Sequence, residues 1–280
     1  MLINHLRINL SIAVALLATA PSRAQSPAFE VASVKLHGAD DRHMAFPELT
    51  PGGRFSVAGL PLQIVIAVAY NLPFQGTQLS GGPDWIRSRD GVYDIEAKAD
   101  EGALKGLSSK ERSARMRLML QALLRDRFKL TIRRDMKEQP VYVLTVAKNG
   151  PKLQKSKFEE KDCDDPANRC HSGGAGQGRG IHAKGFDMAE LAVSVSNFTD
   201  RPLIDKTGLT GLYDIDTDGW VPMRQRPVPS GDASPESIAM ADPTRPTLYM
   251  IFDKLGLKME SGKAPVEMFV IEQVEKPAGN

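Results

Sequence analysis

The chain has 280 residues, 41% hydrophobic, 25% charged and 6% aromatic, with 24 Gly, 19 Pro and 2 Cys. That composition excludes a disordered chain, a collagen-like repeat and a cysteine-framework miniprotein, and leaves length for one large or two small domains with a sizeable core. Lys and Arg number 36 against 34 Asp and Glu, so no basic excess drives binding to a phosphate backbone, and nucleic acid is not an expected partner.

Residues 1–24 have the layout of a secretory signal peptide. Arg7 precedes an apolar run over residues 10–20 broken by Ser11 and Thr19, and Ser22-Arg23-Ala24 puts small residues where a signal peptidase reads them. Cleavage after Ala24 removes Arg7 and Arg23 and leaves 34 basic residues against 34 acidic ones. The run is shorter than the roughly 20 apolar residues of a membrane span, and no later stretch approaches that length. The expectation is a periplasmic or secreted protein with no stable membrane span after signal cleavage.

Residues 29–35 alternate apolar and polar side chains and predict an edge strand. Residues 54–59 predict a short strand that ends at Gly59. Pro61 then opens an apolar helical run over 64–70, and a Val-Tyr-Asp-Ile-Glu-Ala strand follows at 92–97. Residues 100–110 read as a loop. In residues 115–127, Met116, Met119, Leu120, Leu123 and Leu124 have the three-and-four spacing of a helix with one buried stripe. A hairpin is expected next, with strands over 128–132 and 140–146 about a turn at Lys137-Glu138-Gln139; Pro140 opens the second strand, where a missing amide donor matters little.

The series recurs about 120 to 126 residues later. Residues 180–186 lead through Asp187 into an apolar run at 191–195, a Leu-Tyr-Asp-Ile-Asp strand at 212–216 and a helix over 247–254. A second hairpin then has strands over 255–259 and 265–271 about Ser261-Gly262-Lys263. Between the copies, residues 150–179 read as a Gly-rich, charged linker, and residues 222–246 form a gap dense in Pro, Ser and charge. The expected fold is α+β, with two tandem pseudo-repeated halves, residues 25–149 and 180–280. Each half joins a strand-helix-strand-strand unit to a helix-hairpin unit, with largely antiparallel sheets.

Cys163 and Cys170, with six residues between them in a polar loop, most simply form a local disulfide in an oxidising compartment; metal binding would want more ligands than His171 supplies. The Gly-rich run at 173–178 lacks the Gly-Lys-Ser/Thr ending of a phosphate loop and reads as flexible linker. Asp214, Asp216 and Asp218 before Gly219 match the opening of a calcium loop, but position twelve is Gln225 rather than a carboxylate, and the same spacing puts them on one solvated strand face. No metal is therefore assigned. The mature chain keeps His37, His43, His171 and His182, with no Gly-x-Ser-x-Gly elbow and no His-Glu-x-x-His stretch, so no catalytic residue and no cofactor is assigned. Two polar clusters are candidate binding sites: Asp84 and Trp85 at a tight turn, and Arg201, Asp205 and Lys206 around a short strand. A Trp at such a turn is more often a lid over the core, and a group like that of Arg201 more often a salt-bridged corner.

Phe29-Glu30-Val31-Ala32-Ser33-Val34-Lys35, Gly81-Gly82-Pro83-Asp84-Trp85, Leu118-Met119-Leu120-Gln121, Asp126-Arg127-Phe128-Lys129-Leu130, Asp200-Arg201-Pro202 and Asp205-Lys206-Thr207-Gly208-Leu209-Thr210-Gly211 together resemble the soil-associated secreted protein family of uncharacterised function. The resemblance spans residues 29–277. Similar domains occur fused behind sensor-type membrane metallopeptidases, which implies an extracytoplasmic sensing or binding role and brings no family catalytic residues with it.

The expected function is a non-enzymatic binding or sensing module for an envelope component, a peptide or a protein partner, using the cleft between the halves or an exposed sheet edge. An envelope hydrolase is the alternative and would need a concave site joining a carboxylate pair, or a His with an oriented partner. A structural domain of an envelope assembly is a third reading.

Overall fold

The computed structural model describes residues 27–50, 52–176, 178–221, 223 and 244–277; residues 1–24, read from sequence as a signal peptide, and most of the 222–246 gap lie outside the described residues. The alternating segment near the N-terminus becomes β1 (Val31–Leu36), an edge strand as its pattern predicts. With β2 (Ala45–Leu49), β3 (Arg54–Pro61) and β5 (Val92–Lys98) it makes an antiparallel sheet of order β1-β5-β3-β2. Pro61 caps α1 (Leu62–Ala69), which is almost wholly apolar and is correspondingly buried. After β4 (Leu79–Gly81), α2 (Ser109–Phe128) starts at a reciprocal capping box between Ser108 and Glu111. It stops where Lys129 turns left-handed at φ 51°.

The second half repeats the plan. β7 (Gln154–Lys155), β8 (Ser172–Gly176), β9 (Gly180–Phe186) and β11 (Tyr213–Asp216) form an antiparallel sheet of order β7-β11-β9-β8. Here α3 (Met188–Ser196) opens on a capping box between Asp187 and Glu190, and α4 (Leu248–Lys254) on the Thr247 hydroxyl. The segment expected as a linker thus supplies β7 and β8. In the 173–178 run Gly173 serves close backbone packing: a Cβ there would come within 2.0 Å of the His182 carbonyl oxygen.

The two expected hairpins do not form. Residues at Lys137–Gln139 and Ser261–Lys263 run straight on as the middles of two long strands, β6 (Thr131–Val146) and β12 (Leu257–Gln273), which pair antiparallel with each other along their whole length. A third sheet results, of order β10-β6-β12-β4, in which β10 (Leu203–Asp205) of the second half lies parallel to β6 of the first, and β4 of the first lies parallel to β12 of the second. The outer bonds repeat across the pseudo-twofold: the Tyr142 amide donates to the Pro202 carbonyl and the Phe269 amide to the Gln78 carbonyl, each at 2.8 Å.

This exchange of strands completes both cores. Phe269 and Ile271 of β12 pack with Phe55, Leu62, Ile66, Leu120 and Phe128 in the first half. Tyr142 and Leu144 of β6 pack with Leu191, Val195, Trp220 and Phe252 in the second. Each such apolar side chain contributes about 1.5–3 kcal/mol by leaving water, so neither half closes its core without the other's strand. The central sheet and the two outer sheets make the fold α+β and mostly antiparallel. Among the described residues no helix is long and apolar enough to cross a membrane.

Candidate functional site

On α2, Lys110, Ser113 and Arg117 stand three and four residues apart, the spacing of one helical stripe, beside the buried stripe that fills the first core. That polar stripe faces the start of α3. Between them lies a cavity of about 310 Å³ lined from the first half by Asn71, Lys110, Ser113 and Arg117, and from the second by His171, Phe186, Asp187, Glu190 and Val193.

The capping chemistry of α3 fixes the acidic side of the cavity. Asp187 Oδ1 accepts the Glu190 amide at 2.8 Å, and Glu190 Oε2 accepts the Asp187 amide at 2.9 Å. The Glu190 carboxylate also meets His171 Nδ1 at 2.8 Å, and Asp187 Oδ2 accepts from Lys110 Nζ at 3.1 Å. Burial pushes the Asp187 carboxyl up, but the Glu190 amide and the Lys110 ammonium outweigh it and hold its pKa below the usual value. The same hydrogen bond to Asp187 raises Lys110.

His171 follows the Cys163–Cys170 disulfide, whose Cα atoms are 5.4 Å apart, and takes φ 53°. Its Nε2 lies 3.4 Å from Glu160 Oε1, close enough for charge attraction although the two atoms are not aligned as a hydrogen bond. The hydrogen bond to Glu190 raises the imidazole pKa; burial opposes it, and the charges of Glu190, Glu160 and Asp187 add to it. With a carboxylate at each ring nitrogen, the side chain is arranged to hold charge rather than to abstract a proton. Of the serines, Ser194 Oγ accepts the Ala175 amide at 2.8 Å. The disulfide loop is fastened to the first half by Arg112, whose guanidinium meets Asp164 at 2.9 Å.

The residues singled out from sequence lie elsewhere. Asp84 is exposed in a single 3-10 turn, and Trp85 is half-buried against the first core with Lys276 Nζ 5.7 Å from its ring centre. Arg201 bonds Asp200 at 3.1 Å and lies over the Tyr142 ring at 5.4 Å. Asp205 closes a local turn onto the Thr207 amide and hydroxyl, and the Lys206 amide continues the ladder to Leu144. Asp84 and Trp85 follow β4, and Arg201, Asp205 and Lys206 surround β10; β10 borders β6 and β4 borders β12 at points ten residues apart in the β6–β12 register, roughly 34 Å along the strands. The structure does not bring them together, and none lines the cavity. Asp214 accepts the Gly185 amide, Asp216 meets His182 Nδ1 at 2.7 Å and Asp218 meets Lys254 at 3.6 Å. Among the described residues no group of three His, Cys, Asp or Glu is placed to hold a metal ion.

Sequence reading passed over Lys110, Arg117, Glu160 and Glu190. The available signals were the 110-113-117 stripe and the Asp-x-x-Glu capping pattern, and both read equally well as an ordinary solvated face and an ordinary helix start.

The fold and site define an α+β chain of two strand-exchanged halves with a small polar cavity at their junction. Over residues 63–274 it matches the model of a family described as a protein of unknown function, DUF3738, and the chain belongs to that family. No curated protein and no solved structure matches it.

Proposed function

We propose that this chain is an extracytoplasmic binding or sensing module, exported by its signal peptide, which takes an envelope component or peptide in the cavity between its halves. The observation that carries the reading is the cavity itself. Its walls come from both halves, it has the size of a small-ligand site, and it mixes a few charged groups with the apolar Phe186 and Val193. The disulfide beside it suits an oxidising compartment. The resemblance to soil-associated secreted proteins, and to domains fused to sensor-type membrane metallopeptidases, points the same way. A hydrolase is less well supported, because both nitrogens of His171 face carboxylates.

The test is thermal unfolding of residues 25–280 with peptidoglycan fragments, short peptides, β-lactams, calcium and a chelator. A ligand at about 100 times its Kd stabilises by about 2.7 kcal/mol, a shift of several degrees for a chain of this size. Ala189→Trp, at an exposed position lining the cavity, should remove the shift and leave the unliganded midpoint in place. Silence across the panel would refute cavity binding and favour a structural role.

A further inference from the structure

Among the described residues, the cavity's cations are not equally committed. Lys110 is tied to Asp187 at 3.1 Å and His171 to Glu190 at 2.8 Å, whereas the Arg117 guanidinium makes no hydrogen bond and no ion pair. Arg117 is half-buried, and burial lowers its pKa while the field of Glu190 opposes the shift. A guanidinium stays charged at any working pH, so the chain keeps a partly desolvated charge whose five N–H donors meet no protein acceptor among the described residues. An incoming acceptor would offset that cost.

Two further features narrow the acceptor. Asp187 and Glu190 in the same lining disfavour a dianion such as phosphate, while a singly charged planar carboxylate matches the guanidinium fork. The apolar lining of Phe186, Ala189 and Val193 suits a short hydrocarbon or methyl-bearing group, and about 310 Å³ leaves room for no more than a small molecule. Resting on the binding-module reading above, we infer that Arg117 receives a ligand carboxylate, with the ligand's apolar part against Phe186 and Val193. The C-terminus of a short peptide and a small free organic acid share this chemistry.

The experiment is calorimetric titration of the full chain with N-acetyl-Ala-Ala, the C-terminal amide of the same peptide, butyrate and inorganic phosphate. The peptide acid or butyrate should bind at least about tenfold tighter than the amide. A preference for the peptide acid over butyrate assigns the site to peptide ends, and parity assigns it to small acids. Arg117→Gln should erase the difference between acid and amide. Arg117→Lys, which keeps the charge without the fork, should keep a weakened preference and guards against a glutamine variant that fails to fold. Equal binding of acid and amide, or tighter binding of phosphate, would overturn the carboxylate assignment while leaving the cavity as a binding site. No binding of any probe also overturns it, and the binding-module reading falls with it only if the thermal panel is silent too.

Discussion

The carboxylate of Asp214 accepts the backbone N–H of Gly185 at 2.8 Å, and the first half holds a copy of this contact between Asp94 and Gly59 at 3.0 Å. The repeated Tyr-Asp-Ile strand therefore has a structural purpose: its aspartate satisfies the amide of a glycine at φ 62° or 67°, beside a break in strand register. Asp214→Ala should cost about 2 kcal/mol by leaving that amide unmet. Gly59→Ala should be worse than Gly185→Ala, because a Cβ would stand 2.3 Å from the His43 carbonyl oxygen in the first case and 3.1 Å from Cys170 Cα in the second. Urea unfolding of the three variants measures both, and equal costs for the two glycines would refute the steric part.

Pro140 and Pro265 stand in the middles of β6 and β12, where proline is ordinarily excluded. Because the Tyr142 amide points to β10 and the Phe269 amide to β4, strand alternation turns the nitrogens of Pro140 and Pro265 toward the same outer edges. Those edges carry no partner strand there, since β10 reaches only Tyr142–Leu144 and β4 only Phe269–Ile271. No ladder bond is lost, and with Lys137 and Lys263 beside them the prolines blunt two open edges. Ala264→Pro, one residue away, places the missing donor against β6 and should destabilise by about 3 kcal/mol or more. Pro140→Val with Pro265→Val should keep stability and raise self-association, read by analytical ultracentrifugation; sedimentation identical to that of the wild-type chain would refute the edge-guarding role.

The repeat, the helices and the edge strand were legible because each is written in local period and capping. The exchange of strands was not. Lys137-Glu138-Gln139 and Ser261-Gly262-Lys263 carry no apolar face, and such runs usually mark a turn. Here they cross a two-stranded stretch in which Lys137, Glu138, Ser261 and Lys263 stay exposed, so polar residues can remain extended. A strand's sequence states its faces but not its partner, so nothing in Leu203–Asp205 announces that it joins β6 of the other half. The cavity was hidden for a related reason: Arg117 sits on a helix face that is unremarkable until α3 is packed against it.

The Cys163–Cys170 bridge links the turn carrying Glu160 to the residue before His171, and so fastens one wall of the site. Closing so short a loop is worth about 2.5 kcal/mol in the chain-entropy account. The double substitution Cys163→Ser, Cys170→Ser, or reduction by a dithiol, should lower the thermal midpoint by roughly 5 to 10 °C. The loss of amide protection around Glu160 and His171 should exceed that in the Asp94–Gly59 region, which hydrogen exchange resolves by segment. A uniform loss of protection across both halves would argue against a local role.

His171 gives the site a pH dependence whose direction follows from its neighbours. Glu190, Glu160 and Asp187 face the imidazole, with Lys110 and Arg117 beyond them, and the hydrogen bond to Glu190 raises its pKa above the ordinary value near 6.5. The folded state therefore holds the proton more tightly than the unfolded chain does. The stabilisation is fully present below about pH 6.5 and is lost as pH rises through the raised folded-state pKa. His37 is raised in the same direction, chiefly by its hydrogen bond to Asp94, so the measurement must be a difference. The stability of the wild-type chain relative to His171→Gln should fall as pH rises above about 6.5, read by urea unfolding at a series of pH values. A difference that stays flat, or grows with pH, would mean that the folded chain does not hold the His171 proton more tightly than the unfolded chain does.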